Sequence, residues 1–421
     1  MRTFLLISPY FPPMSVVGAK RPLHLVRNLP RFGWNAVVLS ADPERENVDL
    51  ALGGAVPESV TVSRGYAAGF RKWMRPRPRV ASRPREKRAF FLGHELPLVW
   101  PFDPYLVDGP GALSEALRLV QRHAPEAIGI CADPFSAFFV GMALRRRTGL
   151  PLVLDLRDPW SLHPGRQSLR PAPTRAAIDA VEAAAFGAAS KVILNTEDCL
   201  AEYVDRYRGT VPAERFTTIR NAFDLGVFEA GEPAREAAFV VLHFGFFRRF
   251  VPSLPLLEGF AAFVGRTGVA PGAAVLRCIG GLRPEDEADV ARLGIGAFVE
   301  TRPTVPYLQT LPILRAADVL AVVVDPRSRL CVPAKLYDYL AARRPILALS
   351  DVDEVNRIVS STGAGVALPL GDPDRVGEAL ADLHARKIRG ELHGPTEEAV
   401  RPFGAEEQAR RFAAVLDEVT G

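Results

Sequence analysis

Short β-branched or apolar runs alternate with longer amphipathic stretches along this chain, and half-way along the alternation begins again. Such a rhythm leaves few options: parallel strands in a sheet, with helices packed on its faces. In the first half the predicted strands are Thr3–Ser8, Asn35–Ala41, Val60–Arg64, Ala127–Ala132, Pro151–Asp158, Ser190–Thr196 and Phe216–Asn221, with helices such as Gly111–His123, Ser136–Thr148 and Pro173–Gly187. In the second half they are Phe239–Gly245, Ala274–Gly280, Ala297–Glu300, Val319–Asp325, Pro345–Ser350 and Gly365–Pro369. Helices at Leu254–Val264, Pro284–Leu293, Tyr307–Ala316, Pro333–Ala342 and Pro373–Arg386 separate these strands, and a last helix, Ala405–Val419, has no strand after it. The stretch Asp224–Ala238, rich in Gly, Glu, Pro and Ala, reads as a linker. The expectation is an α/β protein of two doubly wound domains facing a central cleft, with ligands beyond the carboxyl ends of the strands.

Size and composition agree. A chain of 421 residues exceeds one ordinary core, and 48% hydrophobic with 24% charged residues is globular composition. No apolar run reaches the roughly 20 residues that span a bilayer. The opening Met1–Pro13 has too short an apolar stretch for a secretory signal, so a cytoplasmic location is expected. Cys131, Cys199, Cys278 and Cys331 lie far apart without CxxC spacing, and the seven His show no paired-ligand spacing. Reduced thiols and no metal site are the expectation.

The chemistry should sit where strands end. Ile7–Pro13 leaves the first strand and runs through Tyr10 to Gly18, Lys20 and Arg21 before a helix. A glycine there lets backbone approach a ligand, and the helix start offers N–H groups to a phosphate, although any βα turn can hold a glycine. Asp133, after the fourth strand, is placed as a base for an acceptor hydroxyl; the alternative is that Asp133 or Ser136 caps the next helix. In Asp155-Leu156-Arg157-Asp158-Pro159-Trp160, the charges are either a local ion-pair cluster or, through Asp158 and Trp160, acceptor contacts. Arg248 and Arg249 follow Gly245. They suit a leaving diphosphate, whose growing negative charge forked guanidinium donors stabilise, or they are solvated. Lys335 and Asp338, three apart after Pro333, share a helix face. A phosphate and a ribose are one use for them; a surface ion pair is the other.

These segments together resemble the retaining GT-B glycosyltransferases of glycosyltransferase family 4. The resemblance is carried by Pro9–Pro13 with Gly18, Asp155–Trp160, Asn221–Asp224, Phe244-Gly245, Ala317-Asp318 and Val332–Leu340, in matching order and spacing. It implies two Rossmann-like domains: residues 1–228 binding the acceptor, 229–403 binding a nucleotide-diphosphate sugar, and a helix over 404–421 crossing back to the first domain. It implies transfer to an acceptor hydroxyl with retention of configuration and without an obligatory metal or other cofactor. Gly18 corresponds to the family's glycine loop, Arg249 (or Arg248) and Lys335 to its basic pair on the diphosphate, and Asp338 to its ribose-binding acid; Gly245 and Leu336 flank these donor positions. Arg249, Lys335 and Asp133 are the expected catalytic residues, and Tyr10, Asp158 and Trp160 the expected acceptor contacts. One departure stands out. The family's acidic pair is two glutamates, and counting back eight from Asp338 reaches Leu330. Either Asp325 substitutes or the donor sugar lacks a hydroxyl there.

From Arg64 to Arg88 ten basic residues accompany one acid, with Tyr66, Phe70 and Trp73 interleaved, although the net charge of the whole chain is only +4. This loop reads as a peripheral contact with an anionic membrane, a grip on an acidic acceptor, or a solvated segment. The near-neutral remainder argues against nucleic acid. Two other functions compete with transfer: a nucleotide-sugar epimerase, which needs flanking acid–base residues, and a catalytically silent GT-B subunit regulating a partner enzyme.

Overall fold

The computed structural model describes residues 1–43, 48–66, 102–229, 231, 236–247 and 251–421. The chain divides into two compact units, Met1–Asn221 with Gln408–Gly421, and Ala222–Glu407.

The first unit contains β1 (Arg2–Ile7), β2 (Trp34–Ala41), β3 (Thr61–Tyr66), β4 (Ala127–Ala132), β5 (Leu152–Leu156), β6 (Lys191–Leu194) and β7 (Phe216–Thr218). They form one sheet in the order 3-2-1-4-5-6-7, and every pairing is parallel. β4 and β5 are buried along their whole length, as strands covered on both faces must be. The order reverses between β1 and β4, where Ile7 lies beside Ile130. β5 continues the row with Asp155 beside Cys131. The loops after β1, β4 and β5, which carry Tyr10, Asp133 and Arg157, therefore emerge side by side at the topological switch point.

The second unit repeats the plan with β8 (Phe239–Phe244), β9 (Ala274–Ile279), β10 (Val299–Arg302), β11 (Val319–Val324), β12 (Ile346–Ser350) and β13 (Gly365–Leu368). The order is 10-9-8-11-12-13, again all parallel, with the switch point between β8 and β11. The central strand β11, Val-Leu-Ala-Val-Val-Val, is buried throughout. All thirteen predicted strands overlap these elements.

The last helix, Ala405–Thr420, carries its Gln408–Gly421 portion into the first unit, as the resemblance implied. Phe412 packs on Phe4 at 5.8 Å between ring centroids. Asp417 accepts from Arg2 at 2.9 Å and from the Trp34 indole at 3.0 Å, and Glu418 pairs with Lys191 at 2.6 Å. The four cysteines are free and buried. Among the described residues no helix is long and apolar enough to cross a membrane, and no cluster of His, Cys, Asp and Glu is arranged to hold a metal ion.

Candidate active site

In the second unit the site grows from the end of β8. Gly245 follows it with φ 105°, a left-handed conformation that favours glycine. Gly280, after the neighbouring β9, has φ 114°, and a Cβ there would lie 2.9 Å from the Gly245 carbonyl carbon. The two glycines let adjacent strand ends close on each other. Above Gly245 stands Lys335: a Cβ on the glycine would meet the Lys335 Nζ at 3.2 Å. Lys335 belongs to the first turn of helix Ala334–Ala342, entered through the extended backbone of Pro333.

A histidine that the sequence reading passed over holds this lysine. His243 is fully buried in β8, its Nδ1 lies 3.2 Å from the Ala321 carbonyl, and its Nε2 lies 3.4 Å from the Lys335 Nζ. A carbonyl only accepts, so Nδ1 carries the proton and Nε2 offers its lone pair to the ammonium. Burial, and then the Lys335 charge, push the His243 pKa well below its ordinary value, which keeps the ring neutral. Phe247 stacks on the ring at 4.0 Å. Replacing His243 by Phe should keep this stack and remove the acceptor. We expect about fivefold weaker nucleoside-diphosphate binding in a calorimetric titration, matching one lost hydrogen bond of ~1 kcal/mol.

Asp338 lies on the same helix face as Lys335 and is 6% exposed; the Tyr307 hydroxyl donates to it at 3.1 Å. Leu336 is a core residue: its side chain is fully buried and its N–H bonds to the Pro333 carbonyl at 2.9 Å. Leu330 is also fully buried. Asp325, the candidate substitute for the missing acid, caps the turn after β11 and is held by the backbone N–H and guanidinium of Arg327, both at 2.7 Å. Arg248 and Arg249 lie outside the described residues, as does most of the basic stretch from Arg64 to Arg88.

In the first unit the structure redistributes the expected roles. A Cβ on Gly18 would meet the Tyr10 ring at 2.6 Å and the Arg157 guanidinium at 2.8 Å, so this glycine makes room for two side chains of its own unit. Arg21, in the first turn of the helix that follows, is buried. It forks onto Asp155 with two bonds of 2.7 Å, in a pair whose side chains are 2% and 1% exposed. Asp155 is thereby spent on Arg21, and of the two readings the local ion-pair cluster around Arg157 does not form. Arg157 instead donates to the Asp133 carbonyl at 2.9 Å. The Asp133 carboxylate faces Arg166 at 3.4 Å, and neither Asp133 nor Ser136 caps the next helix through its side chain. Asp103 does that work by accepting the Ser136 N–H at 2.8 Å.

Asp158 is half-buried, and Tyr10 packs edge-on against Tyr105 at 5.7 Å. Burial and the Asp133 charge raise the Tyr10 pKa, so its hydroxyl stays protonated. Trp160, expected to contact the acceptor, is buried in the first unit. It is 3% exposed, its ring stacks on Phe135 at 4.8 Å, and its backbone N–H donates to the Tyr203 hydroxyl at 3.0 Å. Its replacement by alanine should cost about 3–5 kcal/mol in chemical denaturation, as for a core aromatic.

His163 adds a second neutral ring, half-buried, its pKa lowered to about 4 by desolvation and then by Arg166. For both histidines the folded pKa lies below the unfolded one. Their contribution is complete above about pH 6.5 and lost as pH falls, because the unfolded chain takes up protons that the folded chain refuses. Urea midpoints should fall from pH 7 towards pH 5, and His243→Phe should flatten that slope.

Residues 21–227 match the family model described as Glycosyltransferase Family 4. The chain resembles glycosyltransferase family 4. Its fold is that of the GT-B glycosyltransferases. Sucrose-phosphate synthase from Thermosynechococcus elongatus superposes with a TM-score of 0.66 at 17% identity, covering 100% of this chain and 99% of its own. Anabaena HepE, solved with UDP and glucose, gives 0.64 at 14%, covering 99% and 100%. A variant of S. aureus TarM, solved with Fondaparinux, alpha-GlcNAc-glycerol and UDP, gives 0.65 at 8%, covering 99% and 100%. No curated protein sequence matches the chain at a significant level. The family 4 match starts at Arg21 and ends near the close of the first unit, so Gly18 and the Lys335 helix lie outside it.

Proposed function

We propose that this GT-B glycosyltransferase moves a sugar from a nucleotide-diphosphate sugar to an acceptor hydroxyl, with retention of configuration. The observation that carries the reading is the Lys335 ammonium, held over Gly245 by a neutral His243. A fixed cation at a glycine-lined strand end stabilises a diphosphate most when the glycosidic bond is breaking and charge collects on the leaving oxygen. Asp338, oriented by Tyr307, takes the ribose hydroxyls three residues further along the helix. Arg248 and Arg249 complete the cationic set. With cationic side chains in this role, the reaction needs no metal.

The second unit is then the donor domain and the first the acceptor domain, with the divisions at residues 228 and 403 proposed from the family pattern. In a retaining, front-face transfer the departing phosphate accepts the acceptor proton, which leaves Asp133 free to stay paired with Arg166. The basic Arg64–Arg88 stretch is proposed to seat the protein on an anionic membrane at the cytoplasmic face. UDP in the HepE and TarM structures makes a UDP-sugar the first donor to try. The test is incubation with candidate donors followed by nuclear magnetic resonance of the product: an unchanged anomeric configuration is expected, and inversion rejects the retaining mechanism.

One observation favours a second reading. A fully buried Leu330 where the family has an acid suits a silent subunit. Slow donor hydrolysis without acceptor separates the two, since a silent subunit has none.

A further inference from the structure

At the carboxyl ends of β4 and β5 three guanidinium groups surround Asp133. Arg157 donates to its carbonyl at 2.9 Å, and Arg166 reaches its carboxylate at 3.4 Å. Arg170 lies close enough to both Asp133 and Arg166 for their charges to act on it. His163 stands among them. Its Nδ1 accepts the Arg166 backbone N–H at 3.2 Å, so its Nε2 carries the ring proton and is an uncharged donor. The protonated Tyr10 hydroxyl borders Asp133 and Arg157.

Donors outnumber acceptors in this cluster. The Nε and Nη1 of Arg170 and the Nε of Arg157 are buried without a hydrogen-bond partner. Arg157 is only 9% exposed. Buried guanidinium N–H groups are seldom left unmet, and an acceptor that arrives with a ligand is a standard reason for the exception. Two of the carboxylates near by are committed elsewhere. Asp155 is forked by Arg21, and Asp103 accepts the Ser136 N–H and hydroxyl and the Tyr105 N–H. Asp133 faces Arg166, and Asp158 is half-buried beside His163. The missing acceptor is an anionic one, because forked guanidinium groups bind phosphate and carboxylate oxygens best.

We propose that Arg157, Arg166, Arg170 and His163 form an oxyanion site that binds a phosphate or carboxylate group carried by the acceptor. The word acceptor rests on the transferase reading above; the anion site itself rests only on these side chains.

The test titrates the full chain with inorganic phosphate and, separately, with acetate, in wild type, Arg170→Gln, Arg166→Gln and Lys335→Ala. Nucleoside-diphosphate binding is measured on the same samples. The expected result is saturable binding of one anion that Arg170→Gln and Arg166→Gln weaken at least tenfold and Lys335→Ala leaves unchanged. Tighter phosphate assigns a phosphorylated acceptor, and tighter acetate a carboxylated one. The proposal is overturned if neither anion binds, if no arginine variant weakens binding, or if only Lys335→Ala does, because phosphate then sits at the donor position. Should Arg170→Gln fail to fold, the exposed Arg166 carries the comparison. Anion binding without nucleotide binding would keep this site and remove the transferase reading; the reverse would do the opposite.

Discussion

Lys335→Ala is expected to lower donor turnover about 10²–10³-fold, the usual cost of deleting one preorganised donor from a site of developing charge. The loss should fall on kcat as well as on KM, because the ammonium meets more charge in the transition state than in the bound donor. Lys335→Arg should recover little. The ammonium sits 3.4 Å from the His243 Nε2 and close above Gly245, and a planar guanidinium does not fit that geometry. Gly245→Ala should mimic part of the defect from the other side. It strains a backbone with φ 105° and places a methyl carbon 3.2 Å from the Nζ. Steady-state kinetics on the three variants checks all of this, and unchanged kcat in Lys335→Ala would remove the lysine from the chemistry.

The largest stability effect is expected from Arg21→Ala. Its guanidinium is bonded twice to Asp155 and once to the Arg220 carbonyl, the last at 2.9 Å, at a position 2% exposed. Removing it leaves the Asp155 carboxylate buried and unpaired, a loss of about 3–5 kcal/mol. Asp155→Ala should be similarly damaging. The double replacement Arg21→Met with Asp155→Leu should recover much of the loss, since no orphaned charge then remains. A first-unit transition lowered by roughly 10 °C in each single variant, with partial recovery in the double, is the expected calorimetric result. Equal and additive losses would instead mean that the two charges do not depend on each other.

What the sequence disclosed, and what it withheld, divides along the range of the interactions. The strands were legible because a parallel strand covered on both faces must be a nearly continuous apolar run, as in Val319–Val324. The pairing of charges was not. Asp155 and Arg157 are neighbours in sequence, yet Asp155 takes its partner from Arg21, 134 residues away. Trp160 lies in a charged loop and reads as a rim residue, but the phenylalanines that bury it, Phe135 and Phe138, come from another turn of the chain. His243 was passed over because a lone histidine in an apolar strand looks like core. Its signal was its place two residues before a glycine at a strand end. The Arg157–Arg170 cluster escaped for a similar reason: His163, Arg166 and Arg170 lie in a polar, proline-bordered stretch that reads as solvated loop. Lys335 and Asp338 were visible because a helix places positions three apart on one face wherever it packs.

The proposal that this fold binds a nucleotide-diphosphate sugar through Lys335 is open to a simple measurement. Thermal unfolding is recorded with UDP, GDP, ADP, CDP and dTDP, in wild type and in Lys335→Ala. A ligand at about one hundred times its dissociation constant adds ~2.7 kcal/mol, a shift of several degrees. One nucleotide should stabilise the wild type and not the variant, and it names the donor class. No stabilisation by any of them, or the same stabilisation of both proteins, would contradict a donor site built on Lys335.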